Sequence, residues 1–83
     1  MSQIKIGNIT HYYDKLGVAI IKLDKTLKQG QELEFKDKQG ETVFTQTAES
    51  IQVDKKSVDQ AKAGEDIGLK VDQAVKPDWQ VYS

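Results

Sequence analysis

His11, Tyr12, Tyr13 and Lys15 form the densest group of chemistry-bearing side chains in the chain, and Lys22 follows on the next apolar run. Adjacent residues of a strand point to opposite faces. One tyrosine therefore packs inward, and the other is offered to a ligand beside Lys15 and Lys22. An exposed ring next to a lysine suits stacking of an unpaired base, worth ~1–3 kcal/mol per base. The same ring equally suits a structural role, capping one end of a small core. His11 is the sole histidine, and there is no cysteine. A general base needs an orienting partner and a metal ion needs several ligands, so His11 reads as a strand residue at a sheet face or rim.

The other candidates are weaker. Glu32 and Glu34 share the outer face of a strand whose inner face carries Leu33 and Phe35. Glu65 and Asp66 lie in a turn, where such residues serve local hydrogen bonding. The four serines have no histidine and aspartate placed to activate them. No nucleophile, base pair or metal set emerges, and no cofactor is expected. The chain reads as a non-catalytic binding module.

Eighty-three residues fit one domain, 1–83, with a thin core. All 12 basic residues are lysine. Arginine's planar fork is the usual tool for bidentate phosphate or guanine recognition, so its absence weighs against sequence-specific nucleic-acid binding. Residues 1–28 carry five lysines against Asp14 and Asp24, and the rest carries seven against eleven acids. The formal net charge is −1, and a mildly basic N-terminal ribbon is the most this charge pattern offers a polyanion. The lack of cysteine fits a reducing compartment. No apolar run reaches the roughly 18 residues of a membrane helix, and the expected location is cytoplasmic.

The elements that position these residues read as strands. Ile4–Tyr13 and Val18–Leu23 form a hairpin across the turn Asp14–Gly17, with Gly7 marking a bulge or bend. Leu33–Lys36 alternates, Gly40 turns the chain, and 42–53 is a long Thr- and Val-rich stretch with a bend near 48–50. Residues 55–62 read as one helical turn at most, or a loop with Val58 in the core. Ile67–Val71 is a central strand, and Pro77 precedes the last strand, Trp79–Tyr82. About six strands with frequent turns give an all-β fold, and closure into a barrel removes the exposed edges. Ile4, Val18, Ile20 and Val43 are expected in the core with Ile9, Leu33, Phe35, Ile51, Ile67, Leu69 and Val81.

Three stretches carry a resemblance: Gly17–Leu23, then Leu27-Lys28-Gln29-Gly30-Gln31-Glu32-Leu33, then Ser50-Ile51-Gln52 followed by Val58, Ala61 and Ala63-Gly64-Glu65-Asp66-Ile67-Gly68-Leu69. Together they resemble the second domain of translational GTPases such as elongation factor Tu, with Gln31 where that pattern has Asp. The chain is also similar to small stand-alone elongation-factor-like proteins and to the C-terminal barrel of collagenase-like peptidases. The resemblance implies a closed six-stranded Greek-key β-barrel of the translation-protein type. The GTPase phosphate loop is missing, because Gly30 and Gly40 precede Gln31 and Glu41, so GTP is not expected to bind. Two partner classes follow. One is RNA, tRNA-like or ribosome-associated, held by His11, Tyr12, Tyr13, Lys15 and Lys22. The alternative is a protein, with the chain serving as accessory subunit to a peptidase-like or RNA-modifying enzyme through an apolar rim of Tyr12, Tyr13, Trp79 and Tyr82.

Overall fold

The computed structural model describes residues 4–83. Ten strands and no helix occur among the described residues. They are β1 (Lys5–Tyr13), β2 (Val18–Leu23), β3 (Leu27–Lys28), β4 (Glu32–Lys36), β5 (Thr42–Thr47), β6 (Ile51–Val53), β7 (Lys56–Val58), β8 (Gln60–Ala61), β9 (Asp66–Lys70) and β10 (Gln80–Tyr82). Eight of them form one sheet in the order β5-β4-β10-β1-β2-β9-β6-β7, and β3 pairs with β8 in a small second sheet. The pairings within both sheets are antiparallel.

One apolar cluster gathers the inward face of the large sheet. Ile9, Ile21, Leu33, Phe35, Ile51, Leu69 and Val81 are all fully buried in it. Strict alternation puts them there: in β4, Leu33 and Phe35 are buried while Glu32 is exposed. Phe35 stands opposite Phe44 on β5, and their rings stack with centroids 4.5 Å apart. That pair fixes the phase of β5, so Phe44 is buried and Val43 is 42% exposed. The expectation of Val43 in the core is corrected accordingly. Ile4 is likewise outside the core, at 57% exposure.

The phase of β2 also differs from expectation. Ala19, Ile21 and Leu23 face inward, which leaves Val18 and Ile20 half-buried on the outer side. An all-apolar run gives no periodic signal to choose between its faces. The choice comes from its neighbour β9, where Ile67 and Leu69 pair with Ile21 and Ala19.

The expected closed six-stranded barrel is not what the hydrogen-bond ladder forms: ten strands occur among the described residues, and the ladder ends at β5 and β7. The chain leaves strand pairing at residues 48–50, where Ala48 turns into the core and exchanges backbone bonds with Gly30 and Gln31. Across this break the Gln46 side chain substitutes for a ladder. Its Nε2 donates to the Lys70 carbonyl (2.9 Å), and its Oε1 accepts from the Asp72 N–H (2.8 Å).

Residues 55–62 are neither a helical turn nor a loop. Lys56–Val58 folds back on Ile51–Val53 through the two-residue turn Asp54-Lys55, both with positive φ (52° and 66°). That is the signature of a type I′ turn, whose twist matches the flanking strands. The expected bulge near Gly7 is present as a register shift between Lys5 and Gly7 against β10. Gly7 also lies close against β2. A Cβ there would lie 2.5 Å from the Lys22 carbonyl oxygen and 2.8 Å from Ile21 Cγ2.

Two stability outcomes follow from this geometry. Gly7→Ala overpacks the β1–β2 contact and lowers the unfolding free energy by about 2–3 kcal/mol, seen as a fall of roughly 10–20 °C in Tm. Lys55→Gly relieves a left-handed residue and raises stability by about 1 kcal/mol in a urea titration.

Candidate functional site

A second irregularity in β1 decides what the outer surface offers. Opposite β2 the register runs Ile9↔Ile21, then His11↔Ile20, Tyr12↔Ala19 and Tyr13↔Val18, with a shift between Ile9 and His11. Thr10 is the extra residue, and its hydroxyl donates to the Ile20 carbonyl (3.3 Å). An extra residue switches the faces used beyond it. Tyr12 therefore packs against the core opposite buried Ala19, and His11 and Tyr13 stand outside opposite Ile20 and Val18.

The five residues singled out from the sequence separate on this basis. His11 and Tyr13 stack on the outer face with ring centroids 6.4 Å apart. Lys15 is exposed in the adjoining turn, whose N–H groups at Leu16 and Gly17 donate to the Tyr13 carbonyl. Tyr12 is on the inner side. Lys22 is exposed at the far end of β2, beside Asn8 and Asp66 rather than near Tyr13. Four residues of strand separate it from Val18, roughly 13 Å at 3.3 Å per residue.

The apolar rim expected from Tyr12, Tyr13, Trp79 and Tyr82 is divided as well. Trp79 packs half-buried against the core and lines a recess with Asp37, Lys38, Lys76 and Pro77. Tyr82 lies under the Lys36 ammonium, 4.4 Å from its ring centroid.

The residues missed from the sequence are Leu16, Val18, Ile20 and Gly68. With Tyr13 they line an open groove of about 430 Å³ on the outer face of β2 and β9. Leu16 is 68% exposed and Tyr13 is 50% exposed. Gly68 is the Cα partner of Ile20 on one side and of Gln52 on the other. The Asp54-Lys55 turn and Asp66 close one end. The available signal was the all-apolar run of β2: a strand apolar on both faces, at the surface of a small domain, must show one of them.

Among the described residues no group of three or more His, Cys, Asp or Glu side chains could hold a metal ion. Among them, too, no helix is long and apolar enough to cross a membrane. What the groove can do chemically is desolvate apolar groups of something laid on it.

Comparison with known proteins gives the architecture a precedent. No protein-family model matches the chain. It is 34% identical over 80 residues to an uncharacterized protease of Methanocaldococcus jannaschii, an alignment covering 96% of this chain and 19% of that protein. The chain thus spans about a fifth of that relative's length. The crystal structure of the C-terminal domain of a candidate U32 peptidase from Geobacillus thermoleovorans, in its selenomethionine form, superposes with a TM-score of 0.88. It shares 23% identity, over 96% of this chain and 99% of that one. A second crystal structure of the same domain gives 0.82 and 24%, over 92% and 86%. Of the resemblances read from the sequence, the peptidase barrel is therefore the one these findings match, and the elongation-factor domain is not among them. The chain has the fold of that peptidase C-terminal domain.

Proposed function

We propose that the chain is a non-catalytic protein-interaction module, an accessory part of a peptidase-like system that docks through the outer face of β1, β2 and β9. The observation that carries this reading is the exposed apolar strip of Tyr13 and Leu16 running into Val18, Ile20 and Gly68. Single exposed apolar residues are ordinary, but a contiguous patch rimmed by polar groups marks an interaction surface. The protease relative supports the choice of partner. In it, a segment like this chain accompanies about four-fifths of a longer protein, and contacts between parts of one chain resemble transient interfaces.

RNA binding through His11, Tyr13 and Lys15 draws less support. The chain has no arginine. Lys22 stands apart beside Asp66, and the similar proteins carry peptidase names. The expectation of a role in translation therefore gives way to the protein-partner alternative.

Affinity capture on the immobilised chain from native lysate, with and without nuclease, separates the two. The expected result is a peptidase-like protein, identified by mass spectrometry, that survives nuclease and is lost with Ile20→Asp. Loss of the captured material on nuclease treatment, or its full retention by Ile20→Asp, contradicts the reading.

A further inference from the structure

The two edges of the large sheet are finished differently. β7 is three residues long, starts at Lys56 and folds back as a tight hairpin. β5 is six residues long, and its Thr-Val-Phe-Thr-Gln-Thr carries no charge and no proline. Shortness, lysine and proline are the usual guards against a second chain adding to an edge. The guard on β5 is a bulge at its start, a register shift that leaves Val43 extra and 42% exposed. From Phe44 to Thr47 the register with β4 is regular.

Backbone direction decides which groups of β5 are free. The Ala48 N–H donates to the Gln31 carbonyl (2.8 Å), and in an antiparallel ladder bonded and non-bonded pairs alternate. Leu33 and Phe35 therefore exchange bonds with Gln46 and Phe44. The N–H and C=O groups of Thr45 and Thr47 point away from β4. Among the described residues no backbone or side-chain group bonds to them. Both threonines are exposed. Beside Thr47 the edge opens on a recess of about 460 Å³ that also takes in Ser50, Lys70 and Asp72. The surroundings are acidic. Thr45 stands opposite Glu34 and Thr47 opposite Glu32, and Glu41 and Glu49 bound the strand. The ion pair found among the described residues joins Lys38 and Asp78 and involves none of these glutamates. The Lys36 ammonium lies over the Tyr82 ring on β10.

We propose that β5 takes an added antiparallel strand from a partner protein, an extended segment with lysine or arginine at two alternate positions. The two partner residues opposite Thr45 and Thr47 exchange backbone bonds with them and place their side chains on the outer face. The short threonines let those cations reach toward Glu34 and Glu32, about 9.6 Å away across two strand spacings. Charge argues against a second copy as the occupant. Two β5 strands paired antiparallel about Thr45 bring Glu41 of each toward Glu49 of the other, and like charges facing one another destabilise a strand pair. The edge is separate from the outer face of β1, β2 and β9, so the inference goes beyond the docking reading and does not depend on it.

The test is an amide NMR titration of the isotope-labelled chain with the blocked pentapeptide Thr-Lys-Val-Lys-Thr. Downfield amide-proton shifts and slower hydrogen exchange are expected at Thr45 and Thr47. Changing both peptide lysines to glutamate weakens binding about fivefold or more. N-methylating both lysine amides, which face β5, abolishes binding, and N-methylating the valine amide, which faces away, leaves it unchanged. In the protein, Thr45→Pro removes a donor that the β4 ladder does not use, so the fold's spectrum persists and binding is lost. Glu34→Lys weakens binding of the lysine peptide. Shifts centred elsewhere, no shifts at all, equal affinity for the lysine and glutamate peptides, or indifference to methylation of the lysine amides overturns the proposal, whatever the protein variants do. So do concentration-dependent shifts of Thr45 and Thr47 in the chain alone, which assign the edge to a second copy.

Discussion

One inserted residue, Thr10, governs what this small sheet shows to its surroundings. Up to Ile9 the odd-numbered residues of the first strand face the core; beyond Thr10 the even-numbered Tyr12 does, and His11 and Tyr13 emerge opposite Ile20 and Val18. The strand is held on its other edge by Ile9 itself. Its N–H donates to the Trp79 carbonyl and its carbonyl accepts from the Asp78 N–H, both at 2.8 Å. The bulge is thus clamped between a fixed pair on one edge and the Thr10 hydroxyl contact on the other. A one-residue slip would exchange the tyrosines, sinking Tyr13 and lifting Tyr12 out of the core.

The outer groove is a consequence of that phase and of two further departures from regular strand structure. Gly68 adds no side chain to the outer face, and the Val18 and Ile20 side chains lie over it. The Asp54-Lys55 turn, with two left-handed residues that are not glycine, brings a charged hairpin tip to the groove's end. Strained backbone of this kind persists where the surroundings determine it, and it clusters at functional positions. On the inner side the buried side chains are all apolar, and no buried polar side chain lacks a partner among the described residues.

Much of the fold could be read from residue order, and the failures have specific causes. Leu33 and Phe35, and Ile67 and Leu69, alternate with polar neighbours, and both strands lie as the alternation requires. The stretch 42–53 breaks at 48–50, where its apolar period fails. The run Val18–Leu23 was hard to read because it is apolar throughout except for Lys22, and its phase belongs to β9. The β6–β7 hairpin was missed because Asp54-Lys55 lacks the glycine that normally announces a type I′ turn. Of the candidate site, Tyr13 and Lys15 were legible from composition. Gly68 was not, since a glycine needed for its backbone and one that is not look alike in a string of letters. The Gln46 side chain that bridges the break in the ladder is a tertiary contact between residues 24 and 26 apart, which no local pattern announces.

The account rests on which residues of β1 and β2 meet water, and solvent paramagnetic relaxation reads this directly. A soluble gadolinium chelate is added to the labelled chain, and ring and methyl protons are compared within each strand. Strong relaxation at Tyr13, Leu16 and Ile20, with weak relaxation at Tyr12 and Ile21, is the predicted pattern. Strong relaxation at Tyr12 with protection of Tyr13 would place Thr10 in regular register and contradict the account.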